Sequence, residues 1–188
     1  MEAKKKNIIS LAGDLASGKG TVSEILMKDL QYGIYRNGEY FRKLAKEMNM
    51  DVTEFNKYVE KHPEIDKKIE NSAAEYAKNH DCFIIDARLG WYAVPESFKV
   101  YLKVDIDVAA KRAFGDEKRK TTENFATVEE QKRDMIKRYN IENERYWQLY
   151  KVRKDDMSNY DLVIDTTNLT PNQVADKIKQ EYLKWQSN

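Results

Sequence analysis

Gly13-Asp14-Leu15-Ala16-Ser17-Gly18-Lys19-Gly20-Thr21 is the stretch that decides the fold. The apolar run Ile8-Ile9-Ser10-Leu11-Ala12 precedes it, and a helical pattern follows from Thr21 to Leu30, with Val22, Ile25, Leu26 and Leu30 at helical spacing. A glycine-rich turn between a buried strand and a helix presents successive backbone N–H groups, and the helix start adds partial positive charge. Gly13 and Gly18 let the chain turn tightly and approach a ligand without interference from a Cβ. Lys19 then stands where it reaches the β/γ-phosphates of a nucleotide, and a hydroxyl one turn into the helix suits Mg²⁺. The general pattern wants Ser or Thr directly after the lysine; here Gly20 intervenes before Thr21. The alternative is a plain strand-to-helix turn with no phosphate to hold, and the flanking strand and helix argue against it.

Outward from this loop, composition sets bounds. The 188 residues fit one domain with a real core, 41% hydrophobic and 35% charged, as expected of a soluble globular protein. Net charge is +1, so no bulk field draws the chain to nucleic acid or membrane, and any cationic site must be a local gathering of arginines. The single cysteine, Cys82, excludes an intramolecular disulfide and a cysteine-rich zinc site. Its neighbours Phe83-Ile84-Ile85 predict a small core residue on a buried strand. His62 and His80 flank a helix among charged residues and read as surface positions. No signal peptide and no apolar stretch of membrane-spanning length is present, so a cytoplasmic location is expected.

Asn7 to Ala12 predicts the first strand and Gly33 to Tyr35 the second. Asn37 starts a helix with Phe41, Leu44, Ala45 and Met48 on one face. Asp51-Val52-Thr53-Glu54 has capping-box spacing and opens a helix to Glu60, and Pro63 begins another that runs to Asn79. Phe83 to Asp86 is a strand, Ala87 to Ser97 a loop, Phe98 to Val104 a strand and Asp107 to Phe114 a short helix. Gly115 to Phe125 is basic and aperiodic. Thr127-Val128-Glu129-Glu130 suits a second capping box before a helix to Tyr150. Leu162 to Ile164 is the last strand, and Thr170-Pro171 caps a terminal helix bearing Val174, Ile178, Tyr182 and Trp185. Short apolar strands alternating with helices predict an α/β fold, a five-stranded parallel sheet covered on both faces. In such sheets ligands sit at the carboxyl ends of strands, where Gly13, Asp86 and Arg88 fall.

Four stretches together carry a resemblance. They are the phosphate loop with its Gly-Lys-Gly-Thr ending, Gly38-Glu39-Tyr40-Phe41-Arg42, Phe83-Ile84-Ile85-Asp86-Ala87-Arg88-Leu89-Gly90-Trp91 and Tyr160-Asp161-Leu162-Val163-Ile164-Asp165-Thr166. In this order the chain resembles the cytidylate kinases, in particular the short archaeal-type cytidylate kinase-like proteins among the P-loop nucleoside-monophosphate kinases. The resemblance implies a P-loop NTPase three-layer sandwich forming a single kinase domain over residues 1–188. Helical insertions would bind the acceptor at about 36–80 and form a lid at about 112–150. It implies ATP and Mg²⁺ as cofactors, CMP or dCMP as acceptor, and a monomer.

The resemblance also implies residue roles. Gly13, Asp14, Ala16, Ser17, Gly18, Lys19, Gly20 and Thr21 would hold ATP, with Asp165 and Thr166 beside the adenine. Thr21 and, through water, Asp86 would organise Mg²⁺. Gly38, Arg42, Asp86 and Arg88 would form the acceptor site, the arginines gripping its phosphate. Arg138, Glu142 and Arg145 share one helix face and would contact phosphate and acceptor, whereas helix-stabilising pairs would show the same spacing. Arg112 and Arg119 stand where the family has lid arginines facing ATP, although Asp116 to Thr122 has the look of an insertion. Lys19, Arg112, Arg138 and Arg145 would act on the transferring group. Arg36 occupies a place near the acceptor where the family often has Ser or Thr. Trp91, Tyr146 and Trp147 are stacking candidates, with core packing as the default for each.

Two other readings stay open. One is a P-loop kinase acting on a hydroxyl of another small metabolite, with Asp14 or Asp86 as base. The other is a nucleotide-binding protein that has lost transfer activity.

Overall fold

The computed structural model describes residues 6–117 and 125–187. The elements are β1 (Ile8–Gly13), α1 (Lys19–Leu30), β2 (Gly33–Arg36), α2 (Asn37–Glu47), α3 (Val52–Glu60), α4 (Pro63–Asn79), β3 (Phe83–Asp86), α5 (Gly90–Ala93), β4 (Phe98–Lys103), α6 (Ile106–Phe114), α7 (Val128–Tyr150), a 3₁₀ turn (Met157–Asn159), β5 (Leu162–Asp165) and α8 (Pro171–Ser187). The five strands form one sheet in the order β2-β3-β1-β4-β5, every neighbouring pair parallel.

Successive strand residues point to opposite faces, and the cores follow that period. Ile9 and Leu11 pack with Val22 and Leu26 of α1 and Val174, Ala175, Ile178 and Tyr182 of α8. Ile8, Phe83 and Ile85 meet Ala73 and Ala77 of α4 and Val94 on the other face. There Ala12 and Tyr101 also pack with Leu89, Trp91, Tyr146 and Tyr160. Both faces are therefore apolar and covered, which is why these strands read as continuous hydrophobic runs. A separate cluster of Leu44, Ala45, Phe55, Val59 and Ile69 binds α2, α3 and α4 into one helical unit beside the sheet.

Local signals hold at most boundaries. Asp51 and Glu54 form the reciprocal capping box, and Pro63 opens α4. Thr127 caps α7 by accepting from Glu130 N–H, but the Glu130 carboxylate turns to Ala126 N (2.9 Å) instead of closing the box on Thr127. His62 and His80 bracket α4, stacked on Tyr58 and Tyr76. Three expectations are corrected. Cys82 is exposed with φ 55°, the turn residue just ahead of β3, so it is no core residue. The span from Ala87 to Ser97 contains the helical turn α5. Trp147 is 49% exposed, whereas Trp91 and Tyr146 are core residues. Arg119 lies outside the described residues.

Candidate active site

A cavity of about 630 Å³ opens at the carboxyl edge of β1, β2 and β3. Its walls are residues 13–21, then Arg36, Asn37, Gly38, Arg42, Glu70, Asp86, Ala87, Arg88, Arg112, Asp116 and Tyr146. The loop is shaped by backbone. Gly18 is the N-cap of α1 at φ 87°, a conformation that favours glycine. At Gly13 a Cβ would lie 2.7 Å from Leu102 O, so only glycine lets β1 run this close to β4. Asp14 N donates to that same carbonyl (2.9 Å). The Asp14 carboxylate accepts from Tyr101 OH (2.6 Å) and Val104 N (3.0 Å), bracing the loop against the end of β4. Thr166 Oγ1 sits 3.1 Å from Ser17 O and ties the loop to the residue after β5. Ser17 Oγ is buried and has no hydrogen-bond partner.

Register assembles the charges. The β2–β3 pairing sets Arg36 beside Asp86, with Nε 3.9 Å from the carboxylate. Lys19 Nζ forms an ion pair with the other oxygen of Asp86. Asp86 thus meets both Lys19 and Arg36, and Arg36 also reaches Glu39 (3.3 Å) and Glu24 (3.4 Å). Burial, with the Arg88 and Arg36 guanidiniums adding to it, pushes the Lys19 ammonium down to about 7. A cation crowded by other cations at the base of a phosphate-loop helix is poised for a polyanion.

Arg88 reaches the cavity from the segment after β3, held by Glu142 (Nη2 to Oε1, 3.0 Å). The second oxygen of Glu142 takes Lys154 Nζ at 2.5 Å, and that ammonium also lies 4.5 Å from the centre of the Tyr139 ring. Burial disfavours the Glu142 carboxylate, but Arg88 and Lys154 outweigh it and hold it below its ordinary range. Arg145 pairs with Asp66 of α4 (3.2 Å), and Tyr150 OH donates to the other Asp66 oxygen (3.1 Å). Arg138 Nη1 lies 3.8 Å from Asp134 Oδ2.

Most of the expected site converges. The loop, Thr21, Gly38, Arg42, Asp86, Arg88 and Arg112 all line the cavity. Arg138, Glu142 and Arg145 do not; Glu142 and Arg145 stand behind the wall, bracing Arg88 and α4. Asp165 and Thr166 do not line it either. Thr166 is 1% exposed, and its carbonyl and that of Thr167 each accept from Arg112 Nη2 at 3.0 Å. Asn37, Glu70 and Lys154 escaped the sequence reading. Glu70 had a signal, a carboxylate in the buried stripe Ile69, Ala73 and Ala77. Lys154, in irregular chain beyond α7, had none.

The donors suit Mg²⁺. Thr21 and Asp86 offer a hydroxyl and a carboxylate, and among the described residues no group of three or more His, Cys, Asp or Glu could cage a metal. Mg²⁺ characteristically takes one or two protein oxygens and completes its shell with waters and substrate phosphates.

The pattern that defines the cytidylate kinase-like family matches residues 8–168. A cytidylate kinase of Thermoplasma volcanium is 34% identical over 172 residues, covering 89% of this chain and 86% of that protein. One from Sulfolobus acidocaldarius is 35% identical over 172 residues, covering 90% and 91%. Among solved structures, shikimate kinase from Bacteroides thetaiotaomicron superposes with a TM-score of 0.64 at 14% identity, covering 94% of this chain and 98% of that one, a likeness of fold.

Proposed function

Because the chain belongs to the cytidylate kinase-like family and is an ATP-dependent nucleoside-monophosphate kinase, we propose that its acceptor is a pyrimidine monophosphate, CMP or dCMP. One observation carries the reading. Five cations, Lys19, Arg36, Arg42, Arg88 and Arg112, converge on one cavity in a chain of net charge +1. That arrangement suits two phosphorylated ligands meeting end to end.

In this reading the loop N–H groups and Lys19 hold the β- and γ-phosphates of ATP, and Arg42 and Arg88 grip the acceptor phosphate. Guanidinium forks fix an attacking oxygen through paired hydrogen bonds. That oxygen bonds to the γ-phosphorus as the bond to the β–γ bridging oxygen breaks, giving ADP and the nucleoside diphosphate. The acceptor is already anionic, with a second pKa of about 6, so no strong base is required. Catalysis is positioning and charge compensation. Mg²⁺, held by Thr21 and, through water, by Asp86, would supply further neutralisation of the phosphate oxygens. Binding of the polyphosphate draws Lys19 off Asp86. Arg112 serves the donor from the proposed lid at about 112–150, and the α2–α4 unit is the acceptor-binding insertion. Glu142 and Arg145 act by holding Arg88 and α4 in place, and the enzyme works as a cytoplasmic monomer.

The hydroxyl-kinase alternative is weakened by Asp14. A base needs a free carboxylate, and Asp14 is committed to Tyr101 and Val104. An acceptor panel tests the proposal. CMP or dCMP should exceed AMP and GMP by at least ~100-fold in kcat/KM, the discrimination that ~2.7 kcal/mol of contacts gives, with UMP between. AMP equal to CMP would overturn the cytidylate reading, and rejection of every nucleotide would overturn the monophosphate-kinase reading with it.

A further inference from the structure

Lys154 stands apart from the other cations around the cavity. It is 4% exposed, and among the described residues no other lysine or arginine is buried to that degree. It lies in the irregular chain beyond α7, where Tyr160 OH donates to its carbonyl oxygen (2.8 Å) and fixes the backbone. Its ammonium reaches Glu142 Oε2 at 2.5 Å, and Arg88 Nη2 meets Oε1 of the same carboxylate at 3.0 Å. One carboxylate is thus divided between two cations, of which Arg88 lines the cavity and Lys154 does not.

Stability does not account for this lysine. A buried ion pair is often no more stabilising than apolar side chains of similar volume. Without Lys154, Glu142 would still have Arg88 as its partner. The same stretch of chain already gives Val152 and Met157 to the apolar cluster around Tyr101 and Tyr146, so an apolar residue would suit its surroundings. Burial lowers the Lys154 pKa, with Glu142 opposing and Arg88 reinforcing, so the two cations act on each other across the carboxylate. Burial also disfavours the Arg88 charge, and Glu142 contributes most to outweighing that, ahead of Tyr146 and Glu70.

We propose that Lys154 is a positioning residue of the acceptor site, which works through Glu142 to keep Arg88 anchored without neutralising it. The inference rests on the monophosphate-kinase reading and explains how one arginine of that site keeps its charge available. A carboxylate that faces a guanidinium alone favours a two-pronged pair, in which both oxygens close on two N–H groups. In that state Arg88 would present little net charge to an acceptor phosphate. Because the Lys154 ammonium holds the second oxygen, the two cations and one anion keep a net positive charge, and Arg88 keeps N–H groups for a phosphate. Water screens a charge this deeply buried far less than one at the surface, so its field reaches the site.

The experiment measures kcat and KM for CMP and for ATP in the wild type, Lys154→Met, Glu142→Gln and the double variant, at a temperature below the melting of each. Lys154→Met should raise KM for CMP at least ~5-fold, while kcat and KM for ATP stay within about twofold. A residue that works through Glu142 has little left to do once Glu142 is gone. In the Glu142→Gln background, Lys154→Met should therefore change KM for CMP by less than about twofold. Lys154→Gln keeps a donor for Glu142 and loses the charge; it should raise KM for CMP in the same direction and carries the test if Lys154→Met folds poorly. An unchanged KM for CMP in the Lys154 variants overturns the proposal. An equal rise in both KM values, the mark of a lysine that only supports the fold, overturns it too, as does a fully additive effect in the double variant. A wild type that binds ATP but phosphorylates no nucleoside monophosphate would refute the parent reading, whereas CMP turnover with unmoved Lys154 variants refutes the proposal alone.

Discussion

Replacing Glu142 with glutamine tests the chain of charges behind the cavity. Glu142 stands between Arg88 at 3.0 Å and Lys154 at 2.5 Å, with side-chain exposures of 15% for Glu142, 40% for Arg88 and 5% for Lys154. The two cations will respond differently. Arg88 can turn to water and loses little. Lys154 cannot, and its buried ammonium loses its carboxylate partner while keeping the Tyr139 face. Removing one partner of a buried pair costs about 3–5 kcal/mol, and the amide oxygen that remains favours the lower end, ~3 kcal/mol. For a chain of this length ~3 kcal/mol corresponds to a fall in Tm of about 6–12 °C. Differential scanning calorimetry reads this directly. Glu142→Gln with Lys154→Met should recover at least about half the loss, because the second change removes the stranded charge. Burial already pulls Lys154 below its ordinary range against the opposing pull of Glu142. A lysine whose folded pKa is lowered gives up its proton sooner than in the unfolded chain, so the deficit of Glu142→Gln should shrink as the buffer is made more alkaline. In the double variant the fold returns but Arg88 has lost its tether, so KM for CMP should stay raised. A single variant melting within about 2 °C of wild type, or a double variant no more stable than the single, would refute the reasoning.

Three further expectations follow from the same cavity. Lys19→Ala should fold normally and lose more than about 95% of turnover, and Arg42→Ala should raise KM for CMP by at least ~10-fold with little change for ATP, a loss of one charge-assisted contact of about 1.5–3 kcal/mol; steady-state kinetics with each substrate varied would expose a reversed assignment of donor and acceptor sites. Glu70 should shape the pH dependence of stability, since burial raises its folded pKa to about 7 from the ordinary 4.5. The folded state keeps a proton that the unfolded chain releases, so this contribution is present below about pH 4.5 and is lost as pH rises through 7, about 3 kcal/mol in all. Urea unfolding across that range should fall more steeply for wild type than for Glu70→Gln, and parallel curves would contradict the assignment.

The sequence by itself determined what short-range chemistry determines. The phosphate loop was legible because glycine, lysine and threonine are needed within nine consecutive positions, between an apolar strand and a helix. The capping box at Asp51–Glu54 and Pro63 at the start of α4 are likewise local, and the apolar strands announced a sheet covered on both faces. Asp86 and Arg88 were readable because a strand end in such a sheet faces the ligand edge. What only tertiary structure decided are the partnerships between distant segments. Arg36 became a cavity residue through the β2–β3 register, which sets it against Asp86. Asn37 and Glu70 sit 33 positions apart, and Asp66 meets Tyr150 across 84. Arg138, Glu142 and Arg145 could be placed on one helix face from spacing, but spacing could not say that Glu142 would face Arg88 and a buried lysine. Periodicity fixes the face of an element that a side chain occupies. Which charge it meets there, and how much water remains, depends on how the elements pack, and that was decided by the sheet order and the α2–α4 unit.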